Sequence, residues 1–452
     1  MAAFLLACSF AATIPPNPIH DAASYTTLVG NHTNGLHYRV AAPGSEPFSL
    51  VHVYGTARER GEAHGFLLSA ELTDFIEHKM PQFFEQYVTQ INLGGLPDWL
   101  QEAIRKLLLQ PISKAAPAVF DIALTWLEAE QKKYNEASPT LVFDEMAGIA
   151  HGACLAATAA GSKCDEDKLH RTLVRINMLP DLIRMQCSML GAYASATPDG
   201  HLVQLRSLDF GGGPFANNSA LLVHHPSSQG SETAHQPFAA VSFPGFVGVV
   251  TGVTPHFSLS EKVNDIHGGG TPKGSYNGQN TALVIRDMLE LASSGAEAVA
   301  IAQKATRTWG VWLGIGDAKS DEFIALEYMR ASADVYNATS LPALTGQAPL
   351  KDVAFIDKHP QPSTDMIMAD HITPMLPGKV TATAIAQTLP RYTQSGDVHI
   401  AVYDWDHDEP ALLVAIGTTS ANNTYVGKGG RPAWAAPFVR FPMKALWAQA
   451  PP

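Results

Sequence analysis

Cys187-Ser-Met-Leu-Gly-Ala-Tyr-Ala-Ser-Ala-Thr-Pro-Asp-Gly200-His-Leu-Val-Gln-Leu-Arg206-Ser-Leu-Asp209-Phe210 is the stretch on which the rest of the chain turns. Two runs of strand-forming residues flank Thr197-Pro198-Asp199-Gly200, where proline presets one backbone angle, aspartate caps its own turn and glycine accepts a positive φ. A hairpin is predicted. A turn centred on Pro198 and Asp199 puts Cys187 opposite Phe210, within one residue, and makes Asp209 its neighbour. Arg206 and Asp209 are an odd number of residues apart, so a flat strand sends them to opposite faces. Both then reach the cysteine only if the ladder bulges or ends near Asp209, and Gly211-Gly212-Gly213 follows directly.

The chemistry of this trio depends on the bond between Gln186 and Cys187. Once that bond is cut, Cys187 carries a free α-amine with a pKa of roughly 7.7–8 beside a thiol of about 8.5. Nucleophile and base then sit on one residue. The amine takes the thiol proton directly or through a water, Asp209 anchors the ammonium, and Arg206 favours the thiolate. The thiol can make the cut itself by attacking the Gln186 carbonyl, giving a thioester that water opens. The plainer reading of the same residues is a buried structural cysteine at the start of an ordinary hairpin.

A cysteine opening a strand, then a turn, then Arg206-x-x-Asp209 resembles the N-terminal nucleophile (Ntn) hydrolases of the choloylglycine hydrolase, penicillin V acylase, acid ceramidase and isopenicillin N acyltransferase group. The stretch from Phe243 through Thr251-Gly252 to Ser258 and Glu261 is similar to the glycine-rich segment those enzymes carry after the first hairpin, and Asn264 falls where choloylglycine hydrolases keep an oxyanion asparagine. Cys-Ser-Met-Leu-Gly-Ala, Leu-Arg-x-Leu-Asp, the segment Ile356 to Ser363 and Arg286-Asp287-Met-Leu are similar to secreted acid-ceramidase-like proteins of social amoebae, a resemblance that runs from about Val53 onward. It implies a four-layer αββα Ntn sandwich within the α+β class, self-cleavage between Gln186 and Cys187, and attack on a linear amide through an acyl-thioenzyme. Cys187 would be nucleophile and base, with Arg206, Asp209 and Asn264 completing the site. No cofactor or metal is called for. Where the family keeps a second asparagine, this chain has Asp357-Lys358-His359 and Asp370-His371. Two other readings stay open: an inactive secreted binding protein of the same fold, and a cysteine protease pairing Cys187 with His359 or His371.

The 452 residues are 46% hydrophobic and 16% charged, enough for one large core or two ordinary ones. A formal charge of −12 argues against nucleic acid and against an anionic membrane face, and favours a small ligand. An N-acyl amide is the substrate class expected. Outside residues 2–12 no apolar run approaches membrane-spanning length, so no stable membrane insertion is expected. Residues 1–12 read as a short signal peptide, and Asn-x-Ser/Thr triplets begin at Asn31, Asn217, Asn337 and Asn422. A secreted or lysosomal protein follows, with a cytoplasmic one still open. Of the four cysteines, Cys8 leaves with the signal peptide, Cys154 and Cys164 can bridge across a short loop, and Cys187 is left over.

Residues 13–186 read as a mostly helical pro-segment, with one strand at Leu50 to Tyr54 and helical spacing over Phe66 to Val88, Trp99 to Leu109, Ala118 to Tyr134, Phe143 to Ala157 and Leu169 to Met185. Residues 187–452 read as the catalytic segment. Strands are predicted at 220–224, 238–243 and 246–250, helices at 280–291 and 296–305, and strands again at 311–315, 322–328, 398–403 and 411–416. This order suits helices covering two stacked sheets. Weaker motifs are His267-Gly-Gly-Gly270 without a Gly-x-Ser-x-Gly partner, the pair His224-His225, Gly314-x-Gly316, and the cluster Asp404, Asp406, His407, Asp408 and Glu409, which reads as a solvated turn.

Overall fold

The structure is a computed structural model that describes residues 15–91, 93–135, 138–183, 186–210, 215–227, 235–264, 275–308, 310–342, 349–358, 367–418 and 430–452. The signal-peptide reading of residues 1–12, Cys8, His267 to Gly270, His359 and Asn422 lie outside them. The first segment runs β1 (Ile19–Asp21), β2 (Thr26–His32), β3 (Gly35–Val40), β4 (Phe48–Gly55), α1 (Ala57–Leu67), α2 (Ser69–Asp74), α3 (Met80–Tyr87), α4 (Asp98–Leu107), α5 (Ile112–Asn135), α6 (Val142–Ala159), α7 (Glu166–Asn177) and α8 (Leu179–Leu182). The second runs β5 (Gln186–Ala192), β6 (Val203–Asp209), β7 (Ala220–Pro226), β8 (Phe238–Ser242), β9 (Thr251–Val253), β10 (Phe257–Val263), α9 (Thr281–Leu291), α10 (Gly295–Lys304), β11 (Val311–Asp317), β12 (Glu322–Tyr328), β13 (Ala333–Tyr336), β14 (Val353–Ile356), α11 (Ile367–Ile372), α12 (Ala382–Thr393), β15 (His399–Asp404), β16 (Ala411–Ile416), β17 (Phe438–Pro442) and α13 (Met443–Ala448).

The strands form two sheets. One has seven strands in the order β1-β17-β16-β15-β6-β5-β14, the other ten in the order β13-β12-β11-β10-β9-β8-β7-β4-β3-β2. Side chains alternate between faces, so each strand feeds two different cores. Met189, Ala401, Tyr403, Leu412 and Val414 of the seven-stranded sheet meet Leu221, Val223, Val241, Trp312 and Phe323 of the ten-stranded sheet in one buried cluster. On its other face the smaller sheet packs Leu190, Leu205, Ile400 and Leu413 against Met368 of α11 and Ile385 and Leu389 of α12. The larger sheet packs Phe257, Leu259 and Leu313 against Ile285, Met288 and Leu289 of α9 and Ala298 of α10. The molecule is therefore a mixed α+β protein built on two large sheets.

The first segment departs from a purely helical one. It supplies β1 to the smaller sheet, parallel to β17, and β2, β3 and β4 to the larger one, with β4 parallel to β7. A capping box at Thr56 and Glu59 starts α1. That helix lies against α6 along two glycine pairs: a Cβ added at Gly61 or Gly65 would stand 2.0 Å from the carbonyl oxygens of Glu145 or Ile149, and one at Gly152 would stand 1.9 Å from that of Glu62. Only glycine lets the backbones come so close. The strand predicted over 246–250 is absent. Asn177 of α7 accepts from the N–H groups of Val247 and Gly248, and Val249 donates to the carbonyl of Ala282, so this apolar run meets its hydrogen-bonding needs away from the sheet.

Candidate functional site

β5 and β6 pair without a break from Gln186 opposite Asp209 to Ala192 opposite Val203. Cys187 thus faces Leu208, which corrects the expected pairing with residue 210. The connection over residues 193–202 is no tight turn on Pro198 and Asp199: a helical turn occupies Ala194–Ala196, with Ala194 and Gly200 in the left-handed region at φ 47° and 82°. Its midpoint lies one residue earlier than the turn expected. No bulge is needed either. Paired residues share a face, so Cys187, Met189, Arg206 and Leu208 all look toward the other sheet, and Arg206 is the diagonal neighbour of Cys187.

Arg206 is fully buried and held from three sides. Its Nε donates to the carbonyl of Val250 at 3.3 Å, its Nη1 to that of Ser207 at 2.7 Å, and its Nη2 lies 3.5 Å from Glu261 Oε2. The same Glu261 oxygen is 4.0 Å from Cys187 Sγ. Glu261 comes from β10, one residue beyond the last pairing with β9 at Ser260. Burial pushes the Cys187 thiol up to about 12, with Arg206 opposing and Glu261 and Asp209 adding to the rise. Burial also lifts the Glu261 carboxyl to about 7, against the pull of Arg206 and Lys262. A cavity of about 10 Å³, lined in part by Asp181, Val250, Glu261 and Thr281, adjoins this carboxylate. That is room for about one water.

Asp209 looks to the opposite face. It accepts from Ser395 Oγ at 2.5 Å and from the N–H of Gly396 at 2.9 Å, and Ser395 in turn meets Ser188 at 2.7 Å. Burial raises its carboxyl, with Lys358 pulling the other way. As the ladder partner of Gln186, Asp209 ends β6 on the face opposite the Cys187 side chain.

Asn264, the expected oxyanion donor, follows β10 and is buried. Its Nδ2 donates to Glu327 Oε1 at 2.9 Å, and Met329 Sδ lies at 3.2 Å. His371 belongs to α11, on the helix-covered face of the smaller sheet, where its Nε2 meets Thr388 Oγ1 at 2.7 Å. His224 stacks on Phe238, with Glu145 3.7 Å away, and His225 pairs with His52 at 3.1 Å. Asp404 holds His201 at 3.1 Å, and Asp406 accepts from the N–H groups of Asp408 and Glu409, as a turn would. Among the described residues no group of three or more His, Cys, Asp or Glu is placed to hold a metal ion. Cys154 and Cys164 form a disulfide, with their Cα atoms 5.2 Å apart, leaving Cys187 outside it.

Three side chains at the site went unassigned in the sequence. Glu261 ends the glycine-rich stretch, and its signal was a charge at the end of an alternating apolar strand. Ser395 is brought in from the end of α12 and carried no local signal. His399 of β15 pairs with Leu208, so Cys187, Leu208 and His399 form one row across three strands, at about 4.8 Å per strand. Its Nε2 bonds Thr251 Oγ1 at 2.9 Å, while among the described residues Nδ1 has no hydrogen-bond partner; burial first and Arg206 second hold the ring neutral.

No family model matches the chain. It is 28% identical over 450 residues to protein dcd1A of Dictyostelium discoideum, an alignment covering 96% of this chain and 93% of that protein. It is likewise 28% identical over 435 residues to protein dcd1B of the same organism, covering 94% of this chain and 80% of that one.

Proposed function

We propose that the chain is a self-cleaving amidase or acyltransferase of the Ntn type, with a four-layer αββα sandwich in which the helices of residues 281–304 and 367–393 flank the two sheets. The observation that carries this reading is the set of contacts around Cys187: a thiol at the open end of the hairpin, an arginine diagonal to it on the same face, and a carboxyl at 4.0 Å whose affinity for protons is tuned to about 7. A thiol raised to about 12 is no nucleophile by itself at neutral pH. Glu261 can take its proton as sulfur attacks the carbonyl carbon of Gln186, and return it to the departing nitrogen of Cys187. The C–N bond breaks, a C–S bond forms, and the water-sized cavity beside Glu261 supports hydrolysis of the resulting thioester.

The freed α-amine then lies beside Asp209, whose ladder partner Gln186 has become a carboxy terminus. The amine serves as base toward its own thiol, and Arg206 steadies the thiolate. Attack on a linear amide gives an acyl-thioenzyme that water or an acceptor amine resolves. N-acyl amides are the substrate class proposed, and the Cys154–Cys164 disulfide supports an oxidising compartment such as the secretory route or a lysosome. The test is intact-mass and N-terminal analysis of purified wild type beside Cys187→Ala, followed by assay on a panel of N-acyl amides. Cleavage before Cys187 in the wild type alone, together with amide turnover, supports the proposal. Uncut protein that hydrolyses peptides would turn the reading to a histidine-assisted cysteine protease, and cut protein without turnover to a binding protein of this fold.

A further inference from the structure

β2 and β13 are the two end strands of the ten-stranded sheet. End strands present unpaired backbone donors and acceptors to any second strand that approaches. Here they also expose apolar side chains: Leu28 and Val29 of β2 are 50% and 55% exposed, and Val335 of β13 is 49% exposed. Each of these patches lies within three residues of an Asn-x-Thr triplet. Asn31-His-Thr33 ends β2, with Asn31 and Thr33 both exposed, and Asn337-Ala-Thr339 follows β13, again with both exposed.

The side-chain geometry leaves the reacting atom available. At Asn337, Oδ1 alone does the structural work, accepting from the N–H of Thr339 at 3.0 Å, Thr339 Oγ1 at 2.8 Å, and the N–H and Oγ of Ser340 at 3.0 Å each. Among the described residues Nδ2 makes no hydrogen bond, nor does any side-chain atom of Asn31. Asn217 differs: its own side chain is exposed, but Ser219 of its triplet is buried.

We propose that Asn31 and Asn337 each carry an N-linked glycan, and that the pair shields both edges of the larger sheet from edge-to-edge association. In the transfer, Nδ2 loses a proton and bonds to the first sugar carbon of an oligosaccharide carried on a lipid diphosphate; the sugar–phosphate bond breaks and the lipid diphosphate leaves. The attached glycan keeps the Oδ1 turn of Asn337 intact.

The experiment is secretion of the full chain from a eukaryotic host, peptide-level mass analysis with and without an amide-cleaving endoglycosidase, and sedimentation of the native and enzymatically deglycosylated protein. Glycans are expected at both positions. Thr33→Ala and Thr339→Ala should each remove one, the latter leaving the backbone N–H bonds to Asn337 in place. The deglycosylated protein, already folded, should self-associate in a concentration-dependent way. A secreted protein bearing no sugar at residues 31 and 337, or a chain that stays in the cytosol, overturns the assignment. Deglycosylated protein that sediments like the native form overturns the shielding role.

Discussion

Replacing Glu261 by Gln takes away the carboxyl nearest the Cys187 sulfur while leaving its shape. Scission of purified precursor is expected to quicken as pH rises through about 7, where Glu261 becomes able to accept a proton. Glu261→Gln should slow scission by about 10²–10⁴-fold and flatten that rise; the appearance of the new N-terminus with time, read by mass, checks both. A stability effect of defined sign accompanies it. Burial raises the folded pKa of Glu261 from 4.5 to about 7, so the folded state binds the proton more tightly than the unfolded state. The associated stabilisation is full below pH 4.5 and is lost as pH climbs through 7, a swing of about 3 kcal/mol. Urea unfolding of Cys187→Ala against Cys187→Ala/Glu261→Gln, at acid and at neutral pH, should show the difference between the two proteins changing by that order. His399 lies in the Cys187 row with Nε2 bonded to Thr251 Oγ1, and burial first and Arg206 second hold its ring neutral.

Among the elements, the contact of α1 with α6 is the most demanding of sequence. Gly61→Ala or Gly152→Ala puts a methyl group against a carbonyl oxygen at 2.0 or 1.9 Å, so the helices must part. A loss of about 1–3 kcal/mol is expected by thermal melting. Beneath them Arg60 and Arg286 share Glu145 and Glu290, with Arg286 Nη2 2.7 Å from Glu145 and Arg60 Nη2 3.0 Å from Glu290, all four side chains buried. Arg286→Met leaves these two buried carboxylates one guanidinium, that of Arg60, where they had two, and should cost about 3 kcal/mol by urea denaturation. Regular amphipathic helices and alternating strands were legible: α4, α6, α9, α10, β7, β11, β12, β15 and β16 fall within two residues of where spacing places them, while α5 begins six residues before its expected start. β1, β2, β3 and β17 were not, because strands of mixed polarity at a sheet edge or next to one carry no alternation strong enough to stand out. At the site, Cys187, Arg206 and Asp209 stood out because they share one hairpin. Glu261, Ser395 and His399 converge from strands and loops far apart in sequence, and only tertiary folding brings them together. The register error came from the same limit, since a ten-residue connection such as 193–202 has no residue code as strict as that of a two-residue turn.

At the scale of the whole molecule, the first segment is an integral part of both sheets. Were the bond before Cys187 cut as proposed, its four strands and the Arg60 and Glu145 contacts would hold it to the second segment, and the Cys154–Cys164 bridge, which lies wholly within the first segment, would add no covalent link between them. The two polypeptides should coelute in native size-exclusion chromatography and separate in denaturant without a reductant. The pairing of β1 with β17 also bears on timing. β1, the first described strand, waits for a partner at Phe438, Val439 and Arg440, more than four hundred residues later in the chain. A ribosome adding about 5–20 residues per second delivers Cys187 well before β15 and β17 exist to complete its sheet. The sheet that carries Cys187 thus stays open on one side until β15, β16 and β17, more than two hundred residues further on, have been made and have folded against it.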